Sequence, residues 1–117
     1  MATIEDFHKL DIRAGTVLTC EPNPKATRPA YSLTIDLGDE LGTKTSSAQL
    51  TEAYTPESLI GRTVLAVTNL PPRRVAGVKS EVLVLGLYSA RGQGPVILIT
   101  PDAHAPEGAI EPGDRLG

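Results

Sequence analysis

Glycine and proline recur along the whole chain, 11 and 10 among 117 residues. Proline has no N–H to donate and glycine leaves the backbone unrestrained, so each interrupts regular structure. A chain punctuated this often folds through many turns, which argues against a helical bundle. The length suits one domain with one core, spanning residues 1–117. Hydrophobic residues make up 40% and charged residues 21%, a globular balance that disfavours disordered and fibrous classes. No apolar run approaches the roughly 18 residues of a membrane span, so no membrane insertion is expected. The start, Met-Ala-Thr-Ile-Glu-Asp-Phe, is acidic and lacks the apolar stretch of a signal peptide. A cytoplasmic chain is expected.

Between the punctuation marks the segments read as strands with short helices. Thr3 and Asp6 resemble a capping pattern for a helical turn at 4–8. Residues 11–19 fit a strand with Ile12, Ala14, Thr16 and Leu18 on one face, and Gly15 predicts strong curvature. Tyr31–Leu37 is a second strand with Leu33, Ile35 and Leu37 on one side. Gly38–Gly42 has hairpin chemistry. Thr43–Gln49 is a third, polar strand, and 50–60 reads as a short helix broken or restarted at Pro56. Arg62–Leu70 is a fourth strand, stopped by Pro71-Pro72. A basic connection over 73–79 and strands at 81–87 and 95–100 complete the chain. Three strands, a helix, then more strands is the order of a five-stranded OB-fold barrel: all-β with short helices, one helix between strands 3 and 4.

The runs Val82-Leu83-Val84-Leu85 and Val96-Ile97-Leu98-Ile99 do not alternate. Strands of this kind are covered on both faces, whereas a small barrel covers only one. A second subunit supplies the other cover, so a homodimer is expected, with Leu85 buried.

Catalytic chemistry finds no support. His8 and His104 are the only histidines and belong to no metal or triad pattern. Cys20 is the single cysteine, which excludes an internal disulfide and a cysteine-based zinc cage. It reads as a small packing residue rather than a nucleophile. Gly42-Thr43-Lys44-Thr45 has the wrong spacing for a phosphate loop, and Asp39 and Glu40 would repel phosphate. Asp36, Asp39 and Glu40 are explained by a strand end and polar turn. No enzyme, no metal and no cofactor is the reading.

Binding is better supported. The net charge of −3 disfavours a generally basic nucleic-acid binder but conceals a pattern. Residues 62–91 carry Arg62, Arg73, Arg74, Lys79 and Arg91 against Glu81 alone, between two acidic stretches. This segment is either a solvated loop or a focused site for anions. Pro71-Pro72 stiffens the entry to Arg73-Arg74, and guanidinium groups suit phosphate. Lys44, Ser46, Ser47 and Gln49 lie on the polar strand; adjacent serines point to opposite sides, so at least one of them can face out. They are either donors to a ligand or part of a solvated face capping the next helix. Lys25 and Arg28 fall on the loop that flanks an OB groove. Tyr31 is the one well-placed stacking aromatic, too few for a sequence-tolerant single-strand binder.

Leu10-Asp11-Ile12-Arg13-Ala14-Gly15 resembles the opening signature of the tRNA-binding OB module, found free-standing and at the C-terminus of methionyl-tRNA synthetases. Lys44–Thr51, Asn69–Gly77 and Lys79–Gly86 resemble the secretion-related chaperone branch of that family in particular. The likeness runs from about Asp6 to about Asp102. It implies an OB barrel, a homodimer joined through the N- and C-terminal extensions, and no catalysis. It implies binding of unfolded or export-bound polypeptides, with tRNA as a further partner; the alternative is a tRNA-binding module without a chaperone role. Carried over by motif, the surface is Lys44, Ser46, Ser47, Gln49, Asn69, Arg73, Arg74, Lys79, Ser80 and Glu81. The two arginines and Lys79 would meet phosphates or acidic peptide groups, and Ser46, Ser47, Asn69 and Ser80 would supply hydrogen bonds. Glu81 departs from the uncharged polar residue common in the wider family, which tilts the reading toward peptide.

Overall fold

The computed structural model describes all 117 residues. The chain opens with α1 (Ile4–His8), and Thr3 and Asp6 form a reciprocal capping box. Strands β1 (Ile12–Pro22), β2 (Tyr31–Asp36) and β3 (Thr43–Ala48) follow as an antiparallel meander. The short helix α3 (Pro56–Leu59) leads into β4 (Thr63–Val67), which returns against the first half of β1. Strand β7 (Leu83–Val84) pairs with β4, giving the sheet order β3-β2-β1-β4-β7. The two edges then meet: the amides of Glu81 and Val82 both donate to the Thr45 carbonyl, at 2.8 and 3.4 Å. This contact nearly closes the sheet, and the result is the expected five-stranded OB-like barrel with a helix between β3 and β4.

Closure depends on β1 bending far enough to serve two neighbours. The register slips between Val17 and Thr19, a bulge that sharpens the local twist. Gly15 lets β2 lie close, since a Cβ there would stand 2.6 Å from Ile35 Cγ2 and 2.7 Å from Leu37 Cδ2. The inward face therefore changes phase along β1. Ile12, Ala14, Val17 and Cys20 are buried while Leu18 is exposed, so the simple alternation expected for this strand fails at the bend. Leu33, Ile35 and Leu37 do share one buried face and, with Leu59 and Val64, form the centre of the core.

Four segments differ from expectation. The Gly38–Gly42 turn is a helical one, α2 (Gly38–Leu41), started where Asp36 Oδ1 accepts from the Gly38 amide. The helix of 50–60 is confined to Pro56–Leu59, because proline at its first turn lacks a donor for a preceding turn. The basic connection is a hairpin, β5 (Arg73–Val75) and β6 (Val78–Ser80), turning through Ala76 and Gly77 at φ 47° and 85°. The single strand of 81–87 is divided between β7 and β8 (Gly86–Tyr88), which pairs with β9 (Val96–Leu98) across α4 (Ser89–Gly92).

The C-terminal segment extends the barrel as a ribbon on the free side of β1. Gly113 and Leu116 donate to the carbonyls of Ala14 and Ile12, and Ala14 donates to Asp114, each at 2.8 Å. Arg13 anchors this corner. Its guanidinium grips both oxygens of Asp11, at 2.8 and 3.2 Å, and reaches Glu40 at 3.0 Å.

Candidate nucleic-acid and polypeptide interface

A groove of about 810 Å³ runs between the 23–30 loop, β3, the β5–β6 hairpin and β7–β8. Of its 22 lining residues, 13 are hydrophobic. It is therefore an apolar trough with a polar rim. Arg28, Ser47, Gln49, Arg73, Ser80 and Glu81 stand along it.

The hairpin sorts its charges by strand alternation. Arg73 pairs with Ser80, Arg74 with Lys79 and Val75 with Val78. Arg73, Val75 and Ser80 face the groove, and Arg74 and Lys79 form a directly opposed cationic pair on the other side. Opposed like charges oppose the pairing, so this arrangement is suited to an anion. The turn is fixed from the neighbouring loop: Asn23 Nδ2 donates to the Ala76 carbonyl at 3.3 Å. Lys25 crosses Gly77, where an added Cβ would lie 3.5 Å from its Cδ. None of Lys25, Arg28, Arg73, Arg74 and Lys79 has an acidic partner within 4.0 Å. Of the cations of residues 62–91, the three on the hairpin, Arg73, Arg74 and Lys79, thus stand beside the groove, while Arg62 lies over Tyr54.

Other carried-over residues are occupied by the fold. Ser46 is buried, its hydroxyl donating to the Val82 carbonyl at 2.9 Å, so it has no face for a ligand. Its neighbour Ser47 points to the groove side, and its amide donates to Ser80 Oγ at 3.1 Å. Asn69 stands outside the groove. It clamps the N-terminal segment, accepting from the Asp11 amide at 2.9 Å and donating to the Lys9 carbonyl at 2.7 Å. Lys44 lies 3.9 Å from Glu81 Oε2. Glu81 Oε1 accepts from the Thr45 amide and hydroxyl, both at 3.1 Å. The Thr45 amide, then its hydroxyl and the charges of Lys44 and Lys79, hold the carboxyl below its ordinary range. Glu81 is thereby a neutralised brace of the barrel seam rather than a free negative charge beside the cationic rim.

The aromatic assignment needs correction. Tyr31 is buried, and its hydroxyl donates to the Tyr54 carbonyl at 2.7 Å, so it stacks on nothing. Tyr54 is itself engaged, accepting from the Leu98 amide at 3.0 Å beneath the Arg62 guanidinium at 5.4 Å. The exposed ring is Tyr88, at the end of β8 and on the groove wall. The alternation Gly86-Leu87-Tyr88 carried that signal, hidden by the apolar run before it.

Cys20 is buried, and burial pushes its thiol up to about 11, away from nucleophilic use near neutrality. No three His, Cys, Asp or Glu side chains gather as metal ligands. No helix is long and apolar enough to cross a membrane.

A barrel of this order, with a cationic hairpin at one groove end, is the architecture of an OB nucleic-acid-binding module. The chain belongs to the family described as "Putative tRNA binding domain", whose model matches residues 12–110. It is 42% identical to the CsaA chaperone protein of Picrophilus torridus, covering 100% of both chains with a TM-score of 0.87. It is 48% identical to the chaperone CsaA of Bacillus anthracis, over 100% of this chain and 99% of that one, at a TM-score of 0.85. Among curated relatives, a methionine–tRNA ligase of Porphyromonas gingivalis is 39% identical over 112 residues, 96% of this chain. The chain spans 15% of that enzyme's length, so the match covers a small part of the ligase.

Proposed function

We propose that this protein is a CsaA-like chaperone that holds unfolded or export-bound polypeptide in the groove and binds tRNA through the basic hairpin. The groove carries the reading. Its apolar lining suits an extended chain with large side chains, and its rim donors suit a peptide backbone. Arg73, Arg74 and Lys79, joined by Lys25 and Arg28, meet RNA phosphates or acidic peptide groups without first breaking an ion pair. Ser47, Gln49 and Ser80 supply hydrogen bonds within the groove. Ser46, Asn69, Lys44 and Glu81 act indirectly, by holding the seam and the N-terminal segment that shape it.

The protein works as a cytoplasmic homodimer, without catalysis. Leu87 and Ile97 oppose each other on the outward face of the β8–β9 sheet, 61% and 38% exposed, and a second copy covers them. The C-terminal ribbon on β1 and α1 lie outside the barrel seam and offer a second surface for joining two copies.

The deciding experiment is a competition titration. Labelled tRNA is bound at two salt concentrations and challenged with an unfolded, signal-like peptide. Salt-dependent tRNA binding that the peptide displaces supports one protein with a shared groove. Salt-steep tRNA binding with no peptide binding would leave a tRNA-binding module without a chaperone role.

A further inference from the structure

Tyr88 is 80% exposed, yet it belongs to the groove wall. Strand alternation explains the combination. Tyr88 pairs with Val96 and Gly86 with Leu98, so these four share the inward side of the β8–β9 sheet, while Leu87 and Ile97 turn outward. Leu98 fills the core, Gly86 and Val96 line the groove, and the Tyr88 ring projects past them into solvent. Ala90 and Arg91, two and three residues after it, are held at φ 49° and 55°, so the chain turns back sharply and leaves the ring at the end of its strand. Its hydroxyl has no hydrogen-bond partner within the chain, unlike those of Tyr31 and Tyr54. Arg28 and Arg73 line the same groove without acidic partners.

We infer that Tyr88 is a stacking platform for one unpaired nucleobase of a bound RNA, whose flanking phosphates lie on Arg28 and Arg73. A π-face lining the same groove as two guanidinium groups without acidic partners suits the alternation of base and phosphate along a single strand. One platform, rather than a row, accepts a single unstacked nucleotide in a loop, bulge or end of a folded RNA. The inference rests on the RNA-binding half of the proposed function and adds to it the state of the nucleotide that enters the groove.

The test uses the absence of tryptophan from the chain. Tyr88→Trp installs a sole, exposed tryptophan whose fluorescence a stacked base quenches. The probes are bulk tRNA, a six-residue single-stranded oligoadenylate and an RNA duplex without unpaired bases. Quenching by tRNA and oligoadenylate, but not by the duplex, is expected. Tyr88→Ala weakens tRNA binding about 5- to 150-fold with the salt slope unchanged. Tyr88→Phe retains binding, and Tyr88→Leu behaves as the alanine variant, because it keeps apolar bulk without the π-face. Wild-type tRNA binding that Tyr88→Ala leaves intact overturns the platform and spares the RNA reading. Leu performing as well as Phe, or duplex quenching as strongly as single strand, also overturns it. Quenching by an unfolded peptide with none by RNA assigns the ring to polypeptide, and a wild-type protein that binds no tRNA removes the platform and the RNA reading together.

Discussion

The Glu81 carboxylate takes two hydrogen bonds from Thr45, one from the backbone amide and one from the hydroxyl, each 3.1 Å long. The same two residues are linked in reverse, because the Glu81 amide donates to the Thr45 carbonyl at 2.8 Å. This reciprocal pair closes the barrel between β3 and the segment entering β7. It ties stability to pH with a definite sign. The carboxyl is held below its ordinary value of 4.5 when folded, so its contribution is complete above that value and fades as pH falls through the lower, folded one. The melting temperature of the native protein should drop more steeply than that of Glu81→Gln as pH is lowered from about 5 toward 3. Near pH 7 the variant should be less stable by about 1 kcal/mol. Parallel melting profiles across that acid range would show that the seam does not depend on this charge. Asp11, held low chiefly by its hydrogen bonds from Arg13, leaves some acid sensitivity in both proteins.

Gly15 is tested by volume. A methyl group there enters space held by Ile35 Cγ2 and Leu37 Cδ2, and the Asp36 carbonyl is 3.0 Å away. Both side chains are wholly buried and have little room to retreat. Gly15→Ala should therefore cost about 1–3 kcal/mol in denaturant unfolding, with the m-value unchanged. An alanine variant as stable as the parent would mean that β1 and β2 can separate here without loss.

The barrel was legible in the sequence because its signals are local. Leu33, Ile35 and Leu37 alternate, Thr3 and Asp6 cap a helix, and Pro56 restarts one. The site was legible only in part, because strand alternation does not tell which partner a polar group will find. Ser46 and Ser47 were separable into opposite faces, but not into the one used by Val82 and the one left to the groove. Asn69 reads as a surface donor until the Lys9–Asp11 segment, about 60 residues earlier in the chain, closes on both ends of its amide. Arg13 likewise gains its meaning from Glu40 and Arg115, which the chain brings to it from a distance. Tyr31 opens a strand beside the basic loop, and only the Tyr54 carbonyl shows that its hydroxyl is spent. The basic stretch of 73–79 hid a turn, since Ala76 occupies a left-handed position that glycine or asparagine usually marks.

Arg74 and Lys79 face each other across the hairpin without a carboxylate between them. Replacing both with alanine removes the two proposed phosphate contacts, one cross-strand repulsion and the 3.3 Å hydrogen bond from Arg74 to the Gly77 carbonyl. The slope of log affinity for tRNA against log salt should become shallower by about 1.5, because each contact contributes roughly 0.7–0.9. Thermal stability should change little, because the relieved repulsion offsets the lost exposed hydrogen bond. An unchanged slope, measured by filter binding over a range of potassium chloride, would take this face of the hairpin out of the RNA interface.

Leu87 and Ile97 set the last prediction. They oppose each other on the side of the β8–β9 sheet away from the core, so neither contributes to barrel packing, and a two-stranded sheet with one bare apolar face gains from being covered. Aspartate at both positions should convert a two-chain species into a single chain in sedimentation, with the far-ultraviolet spectrum unchanged. In the folded single chain the substitution costs the repulsion of two opposed carboxylates and the partial burial of Ile97, so the melting temperature is read beside the spectrum to separate that cost from loss of the dimer. Between two copies, by contrast, it buries like charges in an apolar contact that offers them no partner. A dimer that survives the double substitution would move the interface to another surface, with the C-terminal ribbon on β1 the next to test. A native protein that sediments as a single chain would leave the Leu87–Ile97 face free to extend the polypeptide-binding surface around the edge of the sheet.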